Sequence, residues 1–500
     1  MKTGTCRSAL RWLAGLCLAA LSACQAAVPP SPRAPDIAFA DCRLTAPGQT
    51  TSVPAQCGQW TVLEDRANPS GRKIKLHVAV VSAVSRSPEA DALFFLAGGP
   101  GQAASQSYVE LAGALDQIRQ KRNIVLVDQR GTGQSNALAC PNLAGDDQNL
   151  DEDLSSAEVQ QRLKDCLAAL PGDPRFYTTS ASVQDLDEVR AALGYDKIDL
   201  YGVSYGTRVA QTYLRQYPQH VRAVILDGVV PQTEPLGLNV ARDAQRALDL
   251  IFDRCAAQAD CHQAFPNPRA DFQAVLRALD QGPVQVTFAH PVTGQQTQLR
   301  LTRAGVALSV RILSYAPETA ALLPLLLHTA AQGNYAPLAA QSLLITEELQ
   351  QTISDGLAAS VACSEDAPFI TPAAAAAADA GTYYGDLQTA SFQTLCAVWP
   401  HIAATADFKQ PVASTVPVLL LSGEADPVTP PANAAEVAAT LSHSLALVAP
   451  GQGHNVIFRG CLPRVAADFI KSATVEGLDT ACVNDIRPMP FFVDFTGPRP

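Results

Sequence analysis

The stretch Ile198-Asp199-Leu200-Tyr201-Gly202-Val203-Ser204-Tyr205-Gly206, running on through Thr207 to Gln216, decides how this chain folds. Ile198 to Tyr201 reads as a short buried strand, and Thr207 to Gln216 as the helix that follows it. Between them lies Gly202-Val203-Ser204-Tyr205-Gly206, a G-x-S-x-G pentapeptide on a strand-to-helix turn. Glycines on both sides give room for a sharp turn that lifts a serine hydroxyl above a sheet. The same turn places the Tyr205 N–H at a helix N-terminus, where it faces developing negative charge.

Working outward, short apolar runs recur at 74–81, 92–97, 123–128 and 223–226, with helical stretches between most of them, notably 183–193. Continuous apolar strands separated by helices imply a mostly parallel sheet covered on both faces, an α/β fold. From 235 to 406 the pattern turns helical, at 241–258, 270–279, 318–331 and 342–352, and sheet-like runs are few. Pro324 falls inside the third of these and is expected to kink or split it. The strand signal returns at 416–422 and 444–448. The expected organisation is therefore a core over 41–234, an inserted helical cap over 235–406, the rest of the core over 407–485, and a C-terminal tail over 486–500.

Chemistry follows from position. Ser204 is a poor nucleophile without a base to take its proton. Of the eight histidines, His454 in Gly451-Gln452-Gly453-His454-Asn455 follows the last strand on a glycine-rich loop that returns over the sheet. The acid that orients it is expected at Asp426, a few residues beyond the strand ending Leu421-Ser422-Gly423-Glu424-Ala425-Asp426. Glu424 is the local competitor, and Asp227, after an earlier strand, is an alternative acid position. The chain order Ser, Asp, His is that of the α/β-hydrolase fold. A second oxyanion donor fits Gly99 in Ala97-Gly98-Gly99-Pro100-Gly101, which follows the apolar run 92–95, and it joins the Tyr205 N–H.

These motifs, with Asp128-Gln129-Arg130-Gly131-Thr132-Gly133-Gln134-Ser135, resemble the prolyl iminopeptidase and tripeptidyl aminopeptidase family of serine exopeptidases. The resemblance runs from about 70 to 485 and takes in Val361-Ala362-Cys363-Ser364-Glu365-Asp366 and Cys396-Ala397-Val398-Trp399-Pro400, similar to the secreted tripeptidyl-aminopeptidase-like branch. Ala97 departs from the family, whose prolyl iminopeptidases usually carry His before Gly-Gly-Pro-Gly, and this loosens the inference about proline. The 128–135 stretch reads as a structural post-strand loop. The resemblance implies peptide substrates, release of residues from N-termini through an acyl-enzyme, and an acidic site for the substrate ammonium. Glu365 and Asp366 are the candidates for that site. A carboxylic ester hydrolase using the same triad is the alternative, and a non-catalytic binding lipoprotein is a further one.

Lys2, Arg7 and Arg11 precede the short apolar run 12–21, and Leu21-Ser22-Ala23-Cys24 resembles a bacterial lipobox. The expectation is a signal peptide over 1–23, lipidation at Cys24, and a Pro/Ala-rich tether over 24–40. An ordinary signal peptide cut near Ala23 or Ala27 is the other reading. Gln25 after the cysteine points to the outer membrane, on its periplasmic face. Ten later cysteines in an exported chain read as disulfides. The most local pairing is Cys42–Cys57, Cys140–Cys166, Cys255–Cys261, Cys363–Cys396 and Cys461–Cys482, and other connectivities stay open. No C-x-x-C or His-rich spacing suggests a metal, and no cofactor is implied. A net charge of −11 without a basic cluster argues against a nucleic-acid partner.

Overall fold

A computed structural model describes residues 36–140 and 156–497. The signal segment, Cys24 and most of the tether lie outside the described residues. Nine strands form one sheet: β1 Ala40–Thr45, β2 Ser52–Leu63, β3 Lys73–Val81, β4 Ala92–Leu96, β5 Asn123–Val127, β6 Ile198–Val203, β7 Val221–Asp227, β10 Val418–Gly423 and β11 Ser444–Ala449. Their order is β1-β2-β3-β5-β4-β6-β7-β10-β11. From β5 to β11 all neighbours are parallel, whereas β1, β2, β3 and β5 pair antiparallel at one edge.

The central strands are apolar throughout because both faces are covered. Phe94 and Leu200 point into one layer with Val183, Val209 and Tyr213, from the helices Thr179–Ala192 and Tyr205–Gln216. Their chain neighbours Phe95 and Tyr201 point into the other, with Tyr108, Leu115 and Phe469, from the helices Ala104–Arg119 and Leu462–Ser472. The period-two alternation of a strand thus serves two hydrophobic layers.

The chain leaves the sheet after β7 and re-enters it at β10. The intervening residues are mainly helical and have their own apolar core, in which Leu248, Phe272, Val310 and Leu326 meet. Pro324 does divide the expected 318–331 helix: Pro317–Ala320 ends, and a new helix, Leu323–Ala331, begins with the proline in its first turn, where a missing N–H costs nothing. Two strands that the helical reading of this block passed over, β8 Val284–Ala289 and β9 Gln296–Leu301, form an antiparallel hairpin. The described part of the tail, 486–497, is docked at Phe491 and Phe492. Phe491 is buried with the Arg254 guanidinium 4.3 Å from its ring centre, and the Phe492 N–H donates to Ala321 O. Disulfides join the ten cysteines in the consecutive pairs 42–57, 140–166, 255–261, 363–396 and 461–482.

Candidate active site

Ser204 stands between β6 and the helix Tyr205–Gln216 with φ 55° and ψ −123°, a region that a residue with a side chain occupies only when its surroundings enforce it. The enforcement is visible. Ser204 N–H donates to Asp227 O at 2.8 Å, and Ser204 O accepts from Thr207 N at 2.9 Å and Thr207 Oγ1 at 2.6 Å. A Cβ at Gly202 would collide with Gly206 O, and one at Gly206 with Leu96 O, so both glycines of the pentapeptide are sterically required. Ser204 remains partly exposed while its neighbours are buried.

His454 and Asp426 meet above the ends of β10 and β11. His454 Nδ1 lies 2.8 Å from Asp426 Oδ2, with Asp426 fully buried. Nδ1 is thereby committed, so Nε2 is the ring nitrogen left to take the Ser204 proton. Ser204 Oγ and the imidazole are not hydrogen-bonded here among the described residues, a gap that substrate binding commonly closes. Burial pushes the Asp426 carboxyl up, but the His454 charge, its hydrogen bond and those from Thr429 outweigh it and hold the carboxyl below its ordinary value. Glu424, the local competitor, instead accepts from Gly451 N at 2.7 Å on the outside of the loop.

Three supporting residues escaped the sequence reading. Thr429 Oγ1 donates to Asp426 Oδ2 at 2.6 Å and lies 3.0 Å from His454 Nδ1, so one hydroxyl touches both members of the pair. Val428 N–H and Thr429 N–H donate to Asp426 Oδ1, a turn that the order Asp-Pro-Val-Thr could have suggested. Tyr315 accepts the His454 N–H on its carbonyl at 2.6 Å and sets its ring edge-on to the imidazole at 5.0 Å. Asp227, the alternative acid, has a different task. Its carboxylate accepts from Val456 N, Ile457 N and Tyr201 Oη, holding the loop that carries His454. Burial raises the Asp227 carboxyl to about 6 against those donors.

The Gly98–Gly101 loop packs on the elbow: a Cβ at Gly98 would sit 3.1 Å from Ser204 Cβ. Gly99 has φ 104°, which only glycine adopts readily, and neither its N–H nor that of Tyr205 is used by a backbone carbonyl among the described residues. Two free backbone donors beside a serine hydroxyl are what an oxyanion needs. The 128–135 loop braces this region from behind. Asp128 accepts from Ser105 N, Ser105 Oγ and Gln134 N, while the fully buried Arg130 forks onto Asp185 at 2.7 and 2.8 Å.

The carboxylates at 365 and 366 are engaged internally. Glu365 accepts from Thr179 N at 2.6 Å and Thr179 Oγ1 at 2.7 Å, and Thr179 Oγ1 also meets Tyr205 Oη at 2.6 Å. Asp366 pairs with Arg208 at 2.9 Å and Lys409 at 2.7 Å and accepts from Leu236 N. Buried charge requires such partners. With two cations already on Asp366 and Glu365 turned to Thr179, the pair fastens the cap to the elbow helix and offers no open carboxylate to a substrate ammonium. The reading of these two as the amine site is corrected accordingly.

A cleft of about 450 Å³ opens beside Gly99 and Pro100, with apolar walls that include Leu236, Ile353, Phe392 and Trp399. Its charged lining residues are Arg311, Asp355 and the neutralised Asp366. Asp355 forms no ion pair among the described residues, and the protein packed against one side of its solvent-facing carboxyl pushes it up to about 6. Among the described residues no cluster of His, Cys, Asp and Glu could hold a metal ion, and no helix is long and apolar enough to cross a membrane.

Residues 91–285 match the family model described as alpha/beta hydrolase fold, and residues 381–482 match that of the TAP-like proteins. Serine protease Hip1 of Mycobacterium tuberculosis is 24% identical over 488 residues, covering 89% of this chain and 91% of that protein. Tripeptidyl aminopeptidase of Streptomyces lividans is 32% identical over 202 residues, 35% of this chain and 36% of the other. Carboxylesterase B of Mycobacterium tuberculosis is 26% identical over 490 residues, 90% of each. The chain has the α/β-hydrolase fold with a TAP-like C-terminal segment, and it is a serine hydrolase.

Proposed function

We propose that the protein is a serine exopeptidase that removes residues or short peptides from peptide N-termini. Ser204 Oγ attacks the scissile carbonyl while its proton passes to His454 Nε2, and the oxyanion settles against the Gly99 and Tyr205 N–H groups. His454 then hands the proton to the leaving amine as the C–N bond breaks, leaving an acyl-Ser204 ester. Water, deprotonated by the same imidazole, releases the acyl product and regenerates the serine.

The observation that carries the peptide reading is the unpaired Asp355 on a mostly apolar cleft wall that begins at the oxyanion loop. A carboxylate without a counter-ion suits the ammonium of a free N-terminus, the role that Glu365 and Asp366 cannot fill. The TAP-like segment and the two peptidase relatives support the same class. The ester-hydrolase reading keeps one support, the similarity to carboxylesterase B over most of the chain. Aminoacyl- and tripeptidyl-anilides assayed beside short acyl esters separate the two, and turnover of the esters alone would overturn the peptidase reading.

Export and lipid attachment at Cys24 are proposed from the lipobox-like Leu21-Ser22-Ala23-Cys24, with Gln25 favouring the periplasmic face of the outer membrane. Cys24→Ala should move the protein from the detergent phase to the soluble envelope fraction. An unchanged partition would remove the anchor from the account.

A further inference from the structure

Five arginines among the described residues are no more than 9% exposed. Four pair with an aspartate: Arg122 with Asp91, Arg130 with Asp185, Arg190 with Asp187 and Arg208 with Asp366. The fifth, Arg311, has no carboxylate partner among the described residues, and it lines the cleft that opens beside Gly99 and Pro100. Its neighbours are phenols. Nη2 donates to Tyr315 Oη at 2.8 Å, and the guanidinium carbon lies 5.4 Å and 5.7 Å from the Tyr315 and Tyr384 ring centres. Arg311 Nε has no hydrogen-bond partner, and neither does the buried hydroxyl of Tyr383.

A guanidinium cannot shed its proton inside a protein, and burying one without an anion is strongly unfavourable. Aromatic faces return part of that cost, not all of it. Each of the other four arginines buried to this degree among the described residues is given its anion by the fold. At Arg311 the fold leaves the place open, on the wall of a cleft that adjoins the oxyanion loop and one residue away from the catalytic base, since Tyr315 touches both Arg311 and His454. We propose that Arg311 is a substrate-carboxylate subsite: the anion that completes its coordination arrives with the substrate.

Two sources would supply that carboxylate, an acidic side chain close to the scissile bond or the C-terminal carboxylate of a short peptide. With Asp355 unpaired on the same cleft, the site carries one open anion and one open cation, the complement of a short peptide with both ends free. The choice between these sources rests on the peptidase reading; recognition of a carboxylate does not.

The test compares matched substrate pairs that differ only in a carboxylate: anilides carrying Glu or Gln, peptides with a free or amidated C-terminus, and activated monoesters of glutarate with the second carboxyl free or methylated. The wild-type enzyme is expected to favour the carboxylate member of at least one pair by tenfold or more in kcat/KM, chiefly through KM. The pair that responds identifies the source. Arg311→Met removes a charge that has no carboxylate partner among the described residues and gives up one hydrogen bond to Tyr315, so it should fold, and it is expected to bring that ratio to about one, while Arg311→Lys should keep part of it. The ester pair reads the subsite even if no peptide is cleaved, which separates failure of this inference from failure of the peptidase reading. No preference in any pair for the wild type would overturn the subsite, as would a ratio that survives in Arg311→Met.

Discussion

Asp355→Asn tests the proposed recognition of a free N-terminus. The substitution keeps shape and removes the one cleft carboxylate without a protein cation. A unit pair about 4 Å apart is worth roughly 4 kcal/mol at an effective dielectric near 20 and roughly 1 kcal/mol in bulk water. Asp355 faces solvent on one side, so the lower half of that range applies, roughly 1 to 2.5 kcal/mol. At 1.4 kcal/mol per decade, KM for a substrate with a free α-amine should rise about 5- to 60-fold, with kcat little changed. An N-acetylated counterpart, having no ammonium, should be a poor substrate of both enzymes. The pH dependence carries the same signature. With its carboxyl raised to about 6, Asp355 is charged above that pH and neutral below it, while a peptide α-amine is cationic below roughly 8. KM of the wild type should therefore be lowest between about 6 and 8 and rise on the acid side, and Asp355→Asn should lose that acid-side rise. The assay is steady-state hydrolysis of one anilide from pH 5 to 9 with both enzymes. An unchanged KM in Asp355→Asn, or equal cleavage of the acetylated substrate, would refute the reasoning.

Two other substitutions probe the supports. Thr429→Val removes the hydroxyl shared by Asp426 and His454, a hydrogen bond to a buried charge worth about 1.5 to 3 kcal/mol, so kcat should drop about 10- to 100-fold while KM holds. Thr429→Ser should recover most of the rate, and a Val variant as fast as wild type would show that the hydroxyl contributes nothing. Asp366→Asn strips Arg208 of its buried partner, and such breaks cost about 3 to 5 kcal/mol. The denaturation midpoint should fall without any selective loss of free-amine substrates; a selective rise in KM at unchanged stability would return Asp366 to the substrate site.

What the sequence revealed divides along a physical line. The elbow was legible because its geometry leaves no choice: the turn between β6 and its helix needs glycine at 202 and 206, and both are there. Asp426 and His454 were legible because each follows a strand whose apolar run is unmistakable. Partners distant in the chain were not. The acidic pair at 365 and 366 looks free on paper, and only folding brings Arg208, Lys409 and Thr179 to it. Arg311 sits in Val310-Arg311-Ile312-Leu313 like any helix arginine, and its lack of a carboxylate partner among the described residues is a property of packing alone. The edge strands β1 and β2 were missed for a related reason: many of their residues are exposed or half-exposed, and their pattern carries little of the apolar signal that marks the central strands.

The central claim, N-terminal trimming through Ser204, is tested most directly by identifying by mass spectrometry what the enzyme releases from a mixed peptide library. The wild type should yield N-terminal residues or short N-terminal peptides together with the correspondingly shortened remainders, and Ser204→Ala should yield neither. Cleavage at internal bonds regardless of the N-terminus, or products that persist in Ser204→Ala, would contradict it.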